Sequence, residues 1–226
     1  MGTNEYTHER PAFEKDLRPV LVSLPRRDSE LWNEFDAYLN RRGLDSRLAQ
    51  DNGWYPSKAA GDYAPRIIIP CSTGTGRVYW QARAMRFYTE PRYQSPITQR
   101  EDAVVFVMPN RGTYNALQGW TKKVIITEGP LDALAVAGEG YTGIGLMGNK
   151  PPEVVLLRLV KMLRDSGQEL YLFADSDALG EMSQVSKNLS KAGLQIRLIY
   201  ANGYKDAAAI PVKRRAALLQ ELINSP

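Results

Sequence analysis

From Lys122 onward, short apolar runs alternate strictly with longer segments of helical spacing. VIITEG is followed by PLDALAVAG, TGIGLMG by PPEVVLLRLVKMLRDSG, and ELYLFADSD by the stretch from Leu179 to Gly193. QIRLIYA then precedes VKRRAALLQELIN. Parallel strands cannot be joined by tight turns. Each needs a crossover, usually a helix, so this order predicts a mostly parallel sheet with helices on both faces.

The preceding residues follow a different pattern. Residues 1–28 are polar and charged, and read as a loosely held arm. SELWNEFDAYLNRRG carries Leu31, Trp32, Phe35, Tyr38 and Leu39 at helical spacing, with Gly43 as a C-terminal cap. RIIIPC and RVYWQARAM read as strands joined by a hairpin turn at STGTG, and AVVFVMP at 103–109 as another strand. The expected organisation is an arm over 1–28, a smaller basic α+β subdomain over 29–119, and an α/β domain over 120–226. A chain of 226 residues suits one large domain with a satellite.

Ligands of parallel sheets gather outside the carboxyl ends of the strands. In YLFADSDALGEM an apolar strand runs into Asp175 and Asp177. If the strand continues, both project to one side, roughly 6–7 Å apart. Two such carboxylates repel unless a cation lies between them, and hard oxygen ligands suit Mg²⁺ (or Mn²⁺). Taken alone, Asp177 reads equally well as a helix cap. Glu128 ends a second strand, with Asp132 in the next helical turn, and Lys205 and Asp206 follow a third. Singly, each acid reads as a cap or a solvated loop residue. Together they mark one edge.

Other features narrow the chemistry. The single cysteine, Cys71, excludes an internal disulfide framework and a cysteine-built zinc ribbon. The single histidine, His8, lies in the polar arm, which argues against a histidine zinc site or a Ser–His triad. The sequence contains no apolar run near membrane-spanning length and no signal-peptide pattern, so a cytoplasmic protein without a membrane partner is expected. Net charge is +4 and the pI is about 9.1, a mild lean toward a polyanion. Arg66, Arg77, Arg83, Arg86, Arg92, Arg100 and Arg111 outnumber Glu90, Glu101 and Asp102 in the first half. Arginine suits bidentate phosphate contacts, although a solvated basic face would look the same. Tyr79, Trp80, Phe87 and Tyr88 could stack bases, but alternating aromatics more often pack a sheet face. GIGLMG has dinucleotide-fingerprint spacing, yet it reads as the strand itself and not as a strand-to-helix turn. STGTGR lacks the P-loop lysine.

TEGPLDAL, FADSDALG and YKDAA resemble the Glu, Asp-x-Asp and Lys-Asp signatures of the TOPRIM domain shared by primases, topoisomerases and OLD-type nucleases. RIIIPCSTGTGRVYWQARAM followed by RYQSP is similar to the basic subdomain of DnaG-type and phage primases, and AYLNRRGLDSRLAQDNGW to a helix of that family. The resemblance spans roughly residues 37–210. It implies a TOPRIM α/β domain and a Mg²⁺-dependent DNA primase that makes short RNA primers from ribonucleoside triphosphates on single-stranded DNA. Glu128, Asp175 and Asp177 would be the catalytic metal ligands, with Asp132 and Asp206 as outer or second-metal ligands. Arg66, Arg83, Arg92, Tyr93, Ser95 and Lys205 would contact nucleotide or template. Two positions depart from the family pattern: Arg92 replaces a lysine, and Gln94 or Ser95 an asparagine. With neither a zinc module nor a Walker motif in the sequence, a stand-alone core is expected, partnered by a separate helicase or zinc-ribbon protein, in the bacterial host cytoplasm if of phage origin. A TOPRIM nuclease and a non-catalytic nucleic-acid-binding module are the rival readings.

Overall fold

The computed structural model describes residues 30–58, 64–74, 79–95, 102–109 and 120–225. The arm over 1–28, the second half of the STGTG turn, and Arg77, Arg100 and Arg111 lie outside them.

Helix α1 (Glu30–Arg41) buries the stripe that its spacing predicts: Trp32, Phe35, Tyr38 and Leu39. It stops at Gly43, whose φ of +65° lies in the left-handed region. A Cβ there would also meet Val212 Cγ2 at 2.5 Å, so backbone conformation and packing both demand glycine. Asp45 then caps the short helix α2 (Ser46–Asp51), accepting the Leu48 N–H at 3.0 Å.

Strands β1 (Tyr55–Ser57), β2 (Arg66–Cys71), β3 (Tyr79–Ala84) and β4 (Tyr93–Gln94) form an antiparallel sheet in that order. Arg66 pairs with Ala84, and Arg83 with Tyr93. The second sheet contains β5 (Val105–Val107), β6 (Lys123–Thr127), β7 (Thr142–Gly145), β8 (Glu169–Phe173) and β9 (Ile196–Ile199), in the order β5-β7-β6-β8-β9. Its last four strands are parallel and β5 is antiparallel to β7. Helices α3 (Pro130–Gly138), α4 (Glu153–Leu163), α5 (Leu179–Lys191) and α6 (Val212–Asn224) complete the α/β half. An antiparallel sheet thus precedes a largely parallel one.

β5 precedes residue 120, yet its hydrogen bonds are with β7. The sequence reading placed it with the first half. The buried Val105 and Val107 complete the second sheet instead.

Alternation along the parallel strands sorts their side chains onto two faces. Val124, Ile126, Leu170 and Leu172 join Val155, Leu159, Met182 and Val185 from α4 and α5. Ile125, Tyr171 and Phe173 face the other way, into a core shared with Phe35, Leu39, Trp54, Ile67 and Trp80 of the first half. Each large side chain removed from water there contributes roughly 1.5–3 kcal/mol, so the two halves are bound by one apolar core. The glycines of β7 set the depth of α3. A Cβ on Gly143 would stand 2.2 Å from the Ala133 carbonyl oxygen, so helix backbone lies directly on strand backbone. These glycines therefore serve strand–helix packing.

Candidate active site

Glu128, Asp175 and the Lys205–Asp206 pair follow β6, β8 and β9, so the parallel topology brings them to one edge. Hydrogen bonds then lock the loops together. Thr127 Oγ1 donates to the Gly129 carbonyl at 2.9 Å, and the Gly148 N–H donates to the Glu128 carbonyl at 2.9 Å. The Glu128 backbone is thereby fixed. The Ser176 N–H donates to the Lys205 carbonyl at 2.7 Å, joining the β8 and β9 loops. The Ala208 N–H donates to Asp132 Oδ1 at 3.0 Å, joining the start of α3 to the β9 loop. Asp206 Oδ1 accepts the Ala209 N–H at 2.7 Å.

The charges in this cluster are poorly compensated. Asp175 is only 7% exposed, and its Oδ1 is buried without a hydrogen-bond partner. Burial, reinforced by Asp132, Glu128 and Asp206, pushes its carboxyl up to about 8. Burial and Asp206 likewise lift Asp132 well above the usual carboxylate range, against the opposing pull of the Ala208 N–H and Arg42. Burial and Asp177 raise Glu128, whose Oε2 is also buried and unpartnered.

Asp177 differs. The strand stops at Phe173, so alternation does not carry through to both aspartates, and their environments separate. Asp177 is exposed and sits 3.0 Å from Lys205 Nζ, whose hydrogen bond holds it below the ordinary range. Nor does it cap α5, where the N-cap position is Ala178 and no side chain caps the helix.

Among the described residues no group of three His, Cys, Asp or Glu side chains is arranged to hold a metal ion. The unpartnered oxygens of Glu128 and Asp175 nevertheless suit a cation that binds through one or two carboxylates and completes its shell with water and phosphate. The donor set fits such an ion.

The basic residues divide. Arg66 is fully buried and donates from Nη1 to the Pro91 carbonyl at 2.9 Å. Arg83, 9% exposed, donates from Nε to the Tyr38 hydroxyl at 2.9 Å, with its guanidinium 4.6 Å from the Tyr93 ring centre. The Arg66 guanidinium thus anchors the β3–β4 loop. Arg92 is exposed beside Glu90 at 3.2 Å, while Tyr93 and Ser95 are half-buried on the first sheet's edge. Of the predicted contacts, Lys205 alone stands among the acids. Arg42 was missed. It lies 5.7 Å from the Tyr38 ring centre, and its charge favours the ionised forms of both Asp132 and Tyr93. In sequence it is one more cation at a helix end, which the helix dipole alone would explain.

No family model and no curated protein sequence matches the chain. Its fold does have solved counterparts. The DnaG primase catalytic domain bound to single-stranded DNA superimposes with a TM-score of 0.66 at 13% identity, over 93% of this chain and 77% of that one. The RNA polymerase domain of Mycobacterium tuberculosis primase DnaG, in complex with a DNA oligomer, gives 0.65 at 16% identity, over 93% and 78%. The primase fragment of the bacteriophage T7 primase-helicase gives 0.61 at 16% identity, over 82% and 73%. The chain thus has the fold of a DnaG-type primase catalytic core. No helix among the described residues is long and apolar enough to cross a membrane.

Proposed function

We infer that this chain is a primase-type polymerase core of TOPRIM type, joining ribonucleotides on a single-stranded DNA template. The observation that carries this reading is the pair of unpartnered buried carboxylate oxygens on Glu128 and Asp175, at the strand ends of a primase-like fold. In the proposed reaction a 3′-hydroxyl gives its proton to solvent and attacks the α-phosphate of a nucleoside triphosphate, the new P–O bond forms, and pyrophosphate leaves with the electrons of the broken one. A bound Mg²⁺ supplies charge stabilisation for the attacking and leaving oxygens. Glu128 and Asp175 would hold it, and Asp132 and Asp206 tie down the loops behind them. Lys205 is positioned to exchange Asp177 for a phosphate oxygen. Arg42 supplies compensating charge on the side of the first sheet.

Incubation with labelled nucleoside triphosphates, Mg²⁺ and single-stranded DNA, followed by a denaturing gel, tests the reading. New short RNA is expected. Cleaved DNA would replace it with the nuclease reading, and unchanged DNA without RNA would leave a binding module.

A further inference from the structure

The aromatic residues singled out in the first half separate in the folded chain. Tyr79 and Trp80 are buried at 6% and 1% exposure, whereas Phe87 and Tyr88 are 78% and 65% exposed. Two adjacent large aromatics at the tip of one loop are costly to leave in water. Here the loop is built to keep them there. Its base is anchored by the buried Arg66 on the Pro91 carbonyl. Glu34 takes Arg86 through both carboxylate oxygens, at 2.9 and 3.3 Å, and Arg86 Nη1 donates to the Tyr88 hydroxyl at 3.3 Å. The Phe87 and Tyr88 rings stand edge to face, 5.3 Å between centres. The pair is therefore a pre-oriented surface.

It overlooks a groove of about 370 Å³ between α1 and the β3–β4 loop, lined also by Tyr38, Arg41, Arg42 and Arg92. Arg42 lies 5.7 Å from the Tyr38 ring centre, and its charge favours the ionised form of Asp132. Arg41, Arg42, Arg86 and Arg92 thus face a single carboxylate, Glu34, around this groove. Flat rings beside cations match the two halves of a nucleotide, base and phosphate.

We propose that Phe87 and Tyr88 are a base-stacking platform for the single strand that the acid site acts on, with Arg41, Arg42 and Arg92 carrying its phosphates. This rests on the template-directed reading above and names where that template lies. Stacking adds affinity without ion release, whereas phosphate contacts set the salt dependence. The two parts of the platform therefore have separable signatures.

The experiment is fluorescence anisotropy with a labelled oligothymidylate of about 12 nucleotides, within the range that one single-strand site covers, at several salt concentrations. Primer synthesis by the same proteins is followed in parallel. Phe87→Ala/Tyr88→Ala should bind about tenfold or more weakly with an unchanged salt slope. Its priming should need correspondingly more template, with turnover at saturating template unchanged. Phe87→Trp should restore binding. Arg41→Ala/Arg42→Ala should instead flatten the slope by about 0.7 per lost contact. Binding of the aromatic double variant within twofold of wild type, with its melting curve unchanged, overturns the platform. If wild type primes in that case, the polymerase reading survives. If wild type never primes but the double variant still loses binding, the platform stands and the polymerase reading falls.

Discussion

The arginines of the antiparallel sheet and the carboxylates of the acid edge meet burial differently. In the antiparallel half, Arg66 and Arg83 are withdrawn from water, and each donates to a carbonyl or hydroxyl oxygen within 2.9 Å. Arg158 of α4 bridges the halves in the same manner, donating to the Ser72 carbonyl at 2.6 Å and the Asp102 carbonyl at 2.8 Å. At the acid edge, by contrast, Asp175 and Glu128 each keep an oxygen buried and unpartnered. A satisfied buried charge serves the fold. An unsatisfied one destabilises the protein until water, an ion or a ligand completes it.

Asp175→Ala tests the contrast most strongly. Primer synthesis should fall by about 10²–10³-fold or more, as when a single transition-state-stabilising group is removed, while circular dichroism stays native. Glu128→Gln should behave alike, since shape is kept and charge lost. Retained turnover in both variants would erase the distinction between the two halves.

Arg66→Ala should do the reverse. It leaves the Pro91 carbonyl unpaired and opens a cavity, costing about 2–4 kcal/mol, read from urea denaturation. Full stability with weakened nucleotide binding would return Arg66 to the ligand-contact role that the family resemblance implies.

The pH dependence sharpens the comparison further. The Asp175 carboxyl is raised when folded to about 8, against an ordinary unfolded value near 3.9. The native state therefore binds more protons than the unfolded state between these values. Stability is fully present below about pH 4 and is lost as pH rises through about 8. In metal-free buffer Asp175→Asn should thus raise the melting temperature at pH 8 and change it little at pH 4.5. Mg²⁺ should stabilise wild type more at pH 8 than at pH 6, because binding releases the proton. A metal-free wild type that gains stability from pH 5 to pH 8 through this site would contradict the assignment.

The smallest expected effect is that of Lys205→Met on folding. The Lys205–Asp177 pair is exposed at both ends, and such pairs contribute about 0–1 kcal/mol. Melting should hardly move, while the apparent Michaelis constant for nucleotide rises. A large loss of stability would place Lys205 with the scaffold.

The sequence by itself determined the α/β half. Apolar alternation sorts β6 and β8 onto two faces, and strands joined through helices must run parallel, which delivers Glu128, Asp175 and Asp206 to the same edge. These rules act over a few residues or through chain connectivity, so they are legible in one dimension. What only the tertiary structure decided lies where distant segments meet. Arg66 is buried by Pro91 and Arg83 by Tyr38, with 25 and 45 residues between partners. β5 leaves its sequence neighbours because β7, with Gly143 and Gly145, offers it an edge. Asp175 and Asp177 part company because β8 ends at Phe173, where the β9 loop covers one and Lys205 pairs with the other. Trp80 packs inward and Phe87 outward, although both are aromatic residues in one short stretch. Burial is a property of what crosses over a side chain, and no local pattern records which remote segment will do so.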